Sequence, residues 1–291
     1  MSSLTSAKMK LVLSMTIFGT VGLFVKGIPL PSAEIALYRA VLAAILITAY
    51  LLISRQKINF KAIKKALPLL AVSGVAIGFN WVLLFEAYKY TTVSSATLAY
   101  YFAPVIVTLL CPILFKEKMR PVQWVCFLMS TLGIILITGF ETSGNSFWGI
   151  LLGLGAACLY ATAILLNKYI KDVNGTQRTL LQFLFSIAVL LPYTIFSGGI
   201  NVGTLDIKGW ALLLVVGFIH TGVTYCMYFS SLKELSGQTV SILSYIDPLV
   251  AIFASVLILH EKMSPLQILG GALILGFTLI NEISATKKER L

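Results

Sequence analysis

The sequence predicts an all-α integral membrane protein: ten transmembrane helices arranged as two inverted five-helix repeats. Three observations lead there: a composition too apolar for water, a sided distribution of Lys and Arg, and a block that recurs at constant offset. Of 291 residues, 58% are apolar and 11% charged, and the mean hydropathy is +0.93. A soluble domain carries about 25% charged residues, so a core of this excess would lack a polar skin. A spanning helix needs about 20 apolar residues. Ten of them with their connections consume the chain and leave no length for a domain in water.

The spans are expected, in order, at 8–26, 33–53, 66–88, 93–115, 121–140, 147–168, 177–197, 208–232, 237–259 and 265–283. In span one, Lys8 and Lys10 precede an apolar run closed by Lys26; no small-residue cleavage site follows, so it reads as a retained helix and not a signal peptide. Span two carries Arg39. Span three holds Asn80-Trp81 and, near its outer end, Glu86. Span four contains Tyr101 and Pro104. Pro121 and Pro265 open spans five and ten, where a first-turn proline is tolerated. The Gly-Gly-Ile-Asn-Val-Gly run at 198–203 is a loop that ends span seven. Span eight brings His220 and Tyr225, and span nine Tyr245, Asp247 and Pro248. Cys111, Cys126, Cys158 and Cys226 all fall in spans without a CxxC pair, and read as small buried hydrophobes.

The charge count is independent of hydropathy, because cytoplasmic loops collect Lys and Arg. With the N-terminus inside, 17 Lys and Arg fall on inner connections and 4 (Lys26, Lys89, Lys208, Lys262) on outer ones, leaving Arg39 within a span. That split predicts both termini inside. The net charge of +11 is thereby topology, and no nucleic-acid partner is expected.

The repeat is visible by eye. Phe115-Lys116-Glu117-Lys118-Met119-Arg120-Pro121-Val122-Gln123 recurs as Leu259-His260-Glu261-Lys262-Met263-Ser264-Pro265-Leu266-Gln267, an offset of 144 that also pairs Pro104 with Pro248, Tyr101 with Tyr245 and Trp81 with Tyr225. Further upstream the register drifts, so that Phe18-Gly19-Thr20 faces Tyr160-Ala161-Thr162 and Tyr38-Arg39 faces Leu181-Gln182. The two Glu-Lys-Met loops follow spans four and nine. Each half, 1–140 and 141–291, therefore holds five spans, and an odd number inverts the second copy. Inverted repeats are an architecture of secondary transporters, which open a midplane site to one side and then the other.

With ten spans, two five-helix copies and a Pro-containing helix leading to a Glu-Lys-Met turn, the chain resembles the drug/metabolite transporter superfamily, specifically its EamA type. The resemblance implies a multi-pass carrier of the bacterial inner membrane, often an exporter of amino acids or other small metabolites, sometimes of toxic organic cations.

A site between the halves should lie near mid-bilayer, where Tyr101, Pro104, Tyr245 and Pro248 fall. A proline there leaves the carbonyl one turn earlier, at Tyr100 and Ser244, without its N–H donor; it marks a helix kink that either lines a cavity or is packed and satisfied by Ser or Thr. Asp247 is the only acid of span nine, and its counterpart Ala103 is neutral. An acid at that depth costs about 2.5–3.5 kcal/mol to insert and so faces a cavity or a partner. Asn80, Trp81, Tyr225, Tyr101, Tyr245 and Asp247 form the expected substrate contacts. Glu86 is either a further ligand or a solvated interfacial acid. Arg39 either binds a carboxylate, snorkels or pairs with an acid. His220 is a packing residue or a proton-linked one, without the second ligand a metal would need. Aromatic residues with one or two acids suit an organic cation or an aromatic amino acid.

The expected function is movement of a small organic metabolite, an amino acid or related compound, by alternating access and outward, with organic-cation or drug transport as the alternative. Spans five and ten are expected at the periphery. A membrane enzyme would need a catalytic spacing such as HExxH, which His220 and His260 do not provide. A passive channel fits poorly with diverged halves, and no phosphate loop is present for an ATP-driven pump. No cofactor and no metal is expected, and a monomer is sufficient.

Overall fold

A computed structural model describes residues 3–55, 60–115, 121–138, 144–170, 173–232, 234–235 and 237–288. The first Glu-Lys-Met segment, Lys116 to Arg120, lies outside the described residues, as do Lys57, Lys171, Lys233 and Arg290. Among the described residues the chain is helical and has no strand.

The helices are α1 (Ser3–Gly19), α2 (Val21–Lys26), α3 (Ser32–Ile53), α4 (Phe60–Tyr90), α5 (Val93–Tyr100), α6 (Ala103–Phe115), α7 (Pro121–Thr138), α8 (Gly144–Tyr169) and α9 (Gly175–Ser197). They continue with α10 (Ile207–Leu214), a π-helical stretch Val215–Val223, α11 (Thr224–Leu232), α12 (Gly237–Ser244), α13 (Ile246–Leu257) and α14 (Pro265–Lys288). Seven segments are long and apolar enough to cross a membrane: Leu4–Lys26, Ser32–Ile53, Phe60–Tyr90, Val93–Cys111, Ser146–Tyr169, Gly175–Ser197 and Ile207–Leu232. Three shorter apolar helices, Pro121–Ile137, Ile242–Leu257 and Pro265–Asn281, fall on the remaining hydropathic stretches. The outer surface is apolar: Ile53, Phe196 and Ile207 are more than four-fifths exposed, a cost in water and none against lipid.

Local chemistry starts several helices. Thr92 Oγ1 accepts from the Ser95 N–H at the head of α5 (3.1 Å), and Asp206 Oδ1 accepts from the Gly209 N–H at the head of α10 (2.7 Å). Pro104 and Pro248 do not bend a continuous helix. The chain breaks at Tyr101-Phe102 and again at Tyr245, and each proline sits in the first turn of the helix that resumes, where its missing N–H leaves no interior gap in the ladder. Among the described residues neither the Tyr100 nor the Ser244 carbonyl accepts a backbone hydrogen bond across its break.

The packing interleaves the first and second parts of the chain. α4 lies along α8, α3 against α9 and the π-helical stretch, and α1 against α11 and α13, while α5 contacts α8 and α13. α7 and α14 pair with each other. Their backbones cross at Gly133 and Gly270, where a Cβ on either residue would come within 2.6 Å of the other's carbonyl oxygen.

Candidate functional site

The two breaks put short helix ends side by side. Asp247 occupies the first turn of α13, and the Tyr101 hydroxyl donates to its Oδ2 at 2.5 Å. The contact joins residues 146 apart in sequence, one at each break. α1 comes equally close from another side. A Cβ at Gly19 would stand 2.4 Å from the Asp247 carbonyl oxygen and 2.7 Å from Val250 Cβ, so only glycine allows this approach.

Arg39 reaches the same region from α3. It is 5% exposed, so it does not snorkel to the headgroups. Its Nε donates to Thr221 Oγ1 at 2.6 Å, and the guanidinium carbon lies 4.3 Å from the Trp81 ring centroid and 5.6 Å from that of Phe85. Stacking on aromatic faces and one hydrogen bond make a buried cation tolerable, since desolvated cation–π contacts are worth about 2 kcal/mol. Among the described residues the remaining N–H donors of Arg39 have no hydrogen-bond acceptor. Arg39 lies within electrostatic range of Asp247, Tyr88, Tyr100 and Tyr225.

Thr221 holds Arg39 because of the π-helical stretch. Its hydroxyl donates to the Val216 carbonyl five residues back (2.8 Å), and Thr224 does the same to Ile219 (2.7 Å). His220 belongs to the same stretch: Nε2 is 3.0 Å from Thr20 Oγ1, Nδ1 is 3.3 Å from the Val215 carbonyl, and the ring tilts against Phe24. It ties span eight to the break between α1 and α2.

Aromatic rings pack around these charges. Tyr100 stacks on Tyr160 with centroids 5.2 Å apart, and Tyr225 meets Phe18 at 5.1 Å and Phe183 at 5.5 Å. Trp81 meets Phe183 edge-on at 5.2 Å. Tyr160 and Tyr225 both lie within electrostatic range of Asp247. Tyr245 stands at the N-cap position of α13, two residues before Asp247, and makes no side-chain capping bond there.

Two expected contacts stand elsewhere. The Asn80 amide donates to the Ala156 carbonyl at 2.7 Å, joining α4 to α8. Glu86 accepts from Ser32 (2.7 Å) and pairs with Lys89 (2.9 Å), one third exposed at the rim of a cavity. That cavity, of about 260 Å³, is lined by Lys26, Ser32, Phe85, Tyr88 and Lys89 with apolar neighbours from α2 and α3. Phe85, Phe183 and Thr221 were not legible as site residues; Phe85 and Phe183 are two of 17 phenylalanines, and Thr221 acts through a π-turn that hydropathy does not register.

Comparison with known proteins agrees with this architecture. The model of the EamA-like transporter family matches residues 6–139 and again 147–282. The chain is 31% identical over 274 residues to the uncharacterized transporter YxxF of Bacillus subtilis, covering 93% of this chain and 87% of that one. It is 25% identical to an uncharacterized transporter of Archaeoglobus fulgidus (93% and 94% covered) and 25% identical to protein RarD of Salmonella typhi (75% and 74%). A solved crystal structure superposes with a TM-score of 0.67 over 97% of this chain and 99% of that one at 17% identity, a likeness of fold.

Proposed function

The chain belongs to the EamA-like transporter family of membrane transporters, and from that premise we propose that it carries a small zwitterionic metabolite, an amino acid or close relative, outward across the bacterial inner membrane by alternating access. One observation carries the substrate reading. Arg39 and Asp247 lie on opposite halves of the chain, within electrostatic range of each other, about one aromatic-walled space. Guanidinium suits a carboxylate, the carboxylate of Asp247 with Tyr101 suits an ammonium group, and Trp81, Tyr100, Tyr160 and Tyr225 receive an apolar or aromatic side chain. A lone organic cation would meet Arg39 and be repelled.

Ten spans in two inverted halves, 1–140 and 141–291, fit the two matches of the family model and the interleaved packing, in which span three lies on span six as span one lies on span eight. The charge count supports both termini inside. Substrate contacts are assigned to Arg39, Trp81, Tyr101, Tyr225, Tyr245 and Asp247, with Asn80 and His220 positioning helices and Glu86 at the outer rim. Pro104 and Pro248 hold the two breaks about which the halves rock, with no cofactor needed.

The test is thermal stability of the purified protein against tryptophan, leucine and tetraethylammonium, because a ligand that binds only the folded state raises Tm. We expect the amino acids to stabilise wild type and Asp247→Asn to abolish that shift. Stabilisation by tetraethylammonium alone overturns the zwitterion reading.

A further inference from the structure

The second Glu-Lys-Met loop has no part in the chamber, yet its glutamate is among the most heavily tied side chains of the molecule. Glu261 is paired with Lys26 at the end of α2. It accepts the Val93 N–H, the first of α5, at 2.8 Å, and it accepts the Ser255 hydroxyl near the end of α13. Ser255 Oγ is also 3.2 Å from Ser94 Oγ. One carboxylate thus holds three helix ends together, and it is 9% exposed against 34% for Lys26.

The backbone is shaped for this. After α13 the chain turns back at His260, whose φ of 54° places a non-glycine residue in the left-handed region, a conformation kept where surrounding contacts demand it. The turn returns the Glu261 N–H to the Ser255 carbonyl at 3.1 Å, above the side chain that Ser255 also contacts. Tyr88 connects the cluster to the chamber, being within electrostatic range of Glu261 as well as of Arg39 and Asp247. The cavity lined by Lys26, Tyr88 and Lys89 adjoins the cluster.

We propose that Glu261 is the latch of the outer gate: its contacts with Lys26, Val93 and Ser255 hold α2, α5 and α13 closed over the chamber, and opening to the outside requires their release. The proposal rests on the reading of the chamber as the transport site and on the outward placement of Lys26 and Lys262. Three of the tied groups are at the ends of short helices created by the breaks, so a small rotation about Tyr101 and Tyr245 separates them together. A related contact stands at the opposite end. The offset of 142 that aligns Phe18 with Tyr160 aligns Lys26 with Lys168, and the offset of 144 aligns Ser255 with Cys111; Lys168 Nζ lies 3.6 Å from Cys111 Sγ.

Thr97 gives the readout. It is one turn below Val93 on the same face of α5 and 5% exposed, and cysteine nearly matches it in size. In protein whose four native cysteines are replaced by alanine, Thr97→Cys is labelled in intact cells by a membrane-impermeant maleimide. Slow labelling is expected with the latch intact. Glu261→Gln and Lys26→Gln should each speed it about tenfold, the loss of a charge-assisted bond, and Ser255→Ala should speed it less. Size-exclusion elution and Tm identify any variant that fails to fold, in which case Lys26→Gln alone decides. Fast labelling of the intact latch, or rates within about twofold in both charge variants, overturns the proposal. The labelling needs no substrate, so failure of the zwitterion reading registers separately, as absence of an amino-acid shift in wild-type Tm.

Discussion

At the scale of single residues, two charges of opposite sign stand at the centre of the proposed site, and only one was plain in the sequence. Asp247 was legible because an acid beside a proline at mid-span has few structural uses. Arg39 left three readings open, since its partner Thr221 is 182 residues away and is presented by a π-turn. The guanidinium's planarity is what Trp81 and Thr221 recognise. Lysine keeps the charge but loses the stack and the fixed Nε–H. Arg39→Lys is therefore expected to weaken tryptophan binding by roughly 10–100-fold, read by titration calorimetry on the folded variant, and to lower Tm as the buried cation loses its stack. A variant that binds normally would remove Arg39 from the site.

At the scale of elements, the proposed site lies where helices stop. Pro104 and Pro248 signalled the breaks, but proline alone is not sufficient: Pro68 and Pro192 lie inside the continuous helices α4 and α9. What separates the cases is position, each break proline standing in the first turn of a resumed helix. The break at Thr20 between α1 and α2 carried no proline and was missed. Its glycine neighbour matters more. Gly19→Leu would drive a side chain into the Asp247 carbonyl, and overpacking of this kind costs roughly 1–3 kcal/mol, or about 3–10 °C in Tm. Because the displaced atom belongs to the site, differential scanning fluorimetry should also show the tryptophan shift lost, whereas a merely structural glycine would lose stability and keep it.

At the scale of the molecule, the recurrence at offset 144 pointed to two parts, in line with the two matches of the family model, while the interleaving of the two stretches was not legible, because nothing in a repeat says whether its copies pack side by side or through one another. α7 and α14 meet at Gly133 and Gly270 and pack on α5, α6 and α12, without a residue in the proposed site. Gly270→Val should open that seam and lower Tm by roughly 3–10 °C while leaving the affinity for tryptophan unchanged by calorimetry; a loss of affinity would place these helices in the transport unit. The shelter of Arg39 also bears on how the protein is made. Ribosomes deliver α3 to the membrane long before Thr221 has been translated, so a charged side chain must wait in the bilayer at a cost of about 2.5–3.5 kcal/mol. Trp81 and Phe85 belong to the very next span. They are the first of the guanidinium's ring contacts to be synthesised, so α4 is the earliest helix placed to cover Arg39 with an aromatic face during insertion.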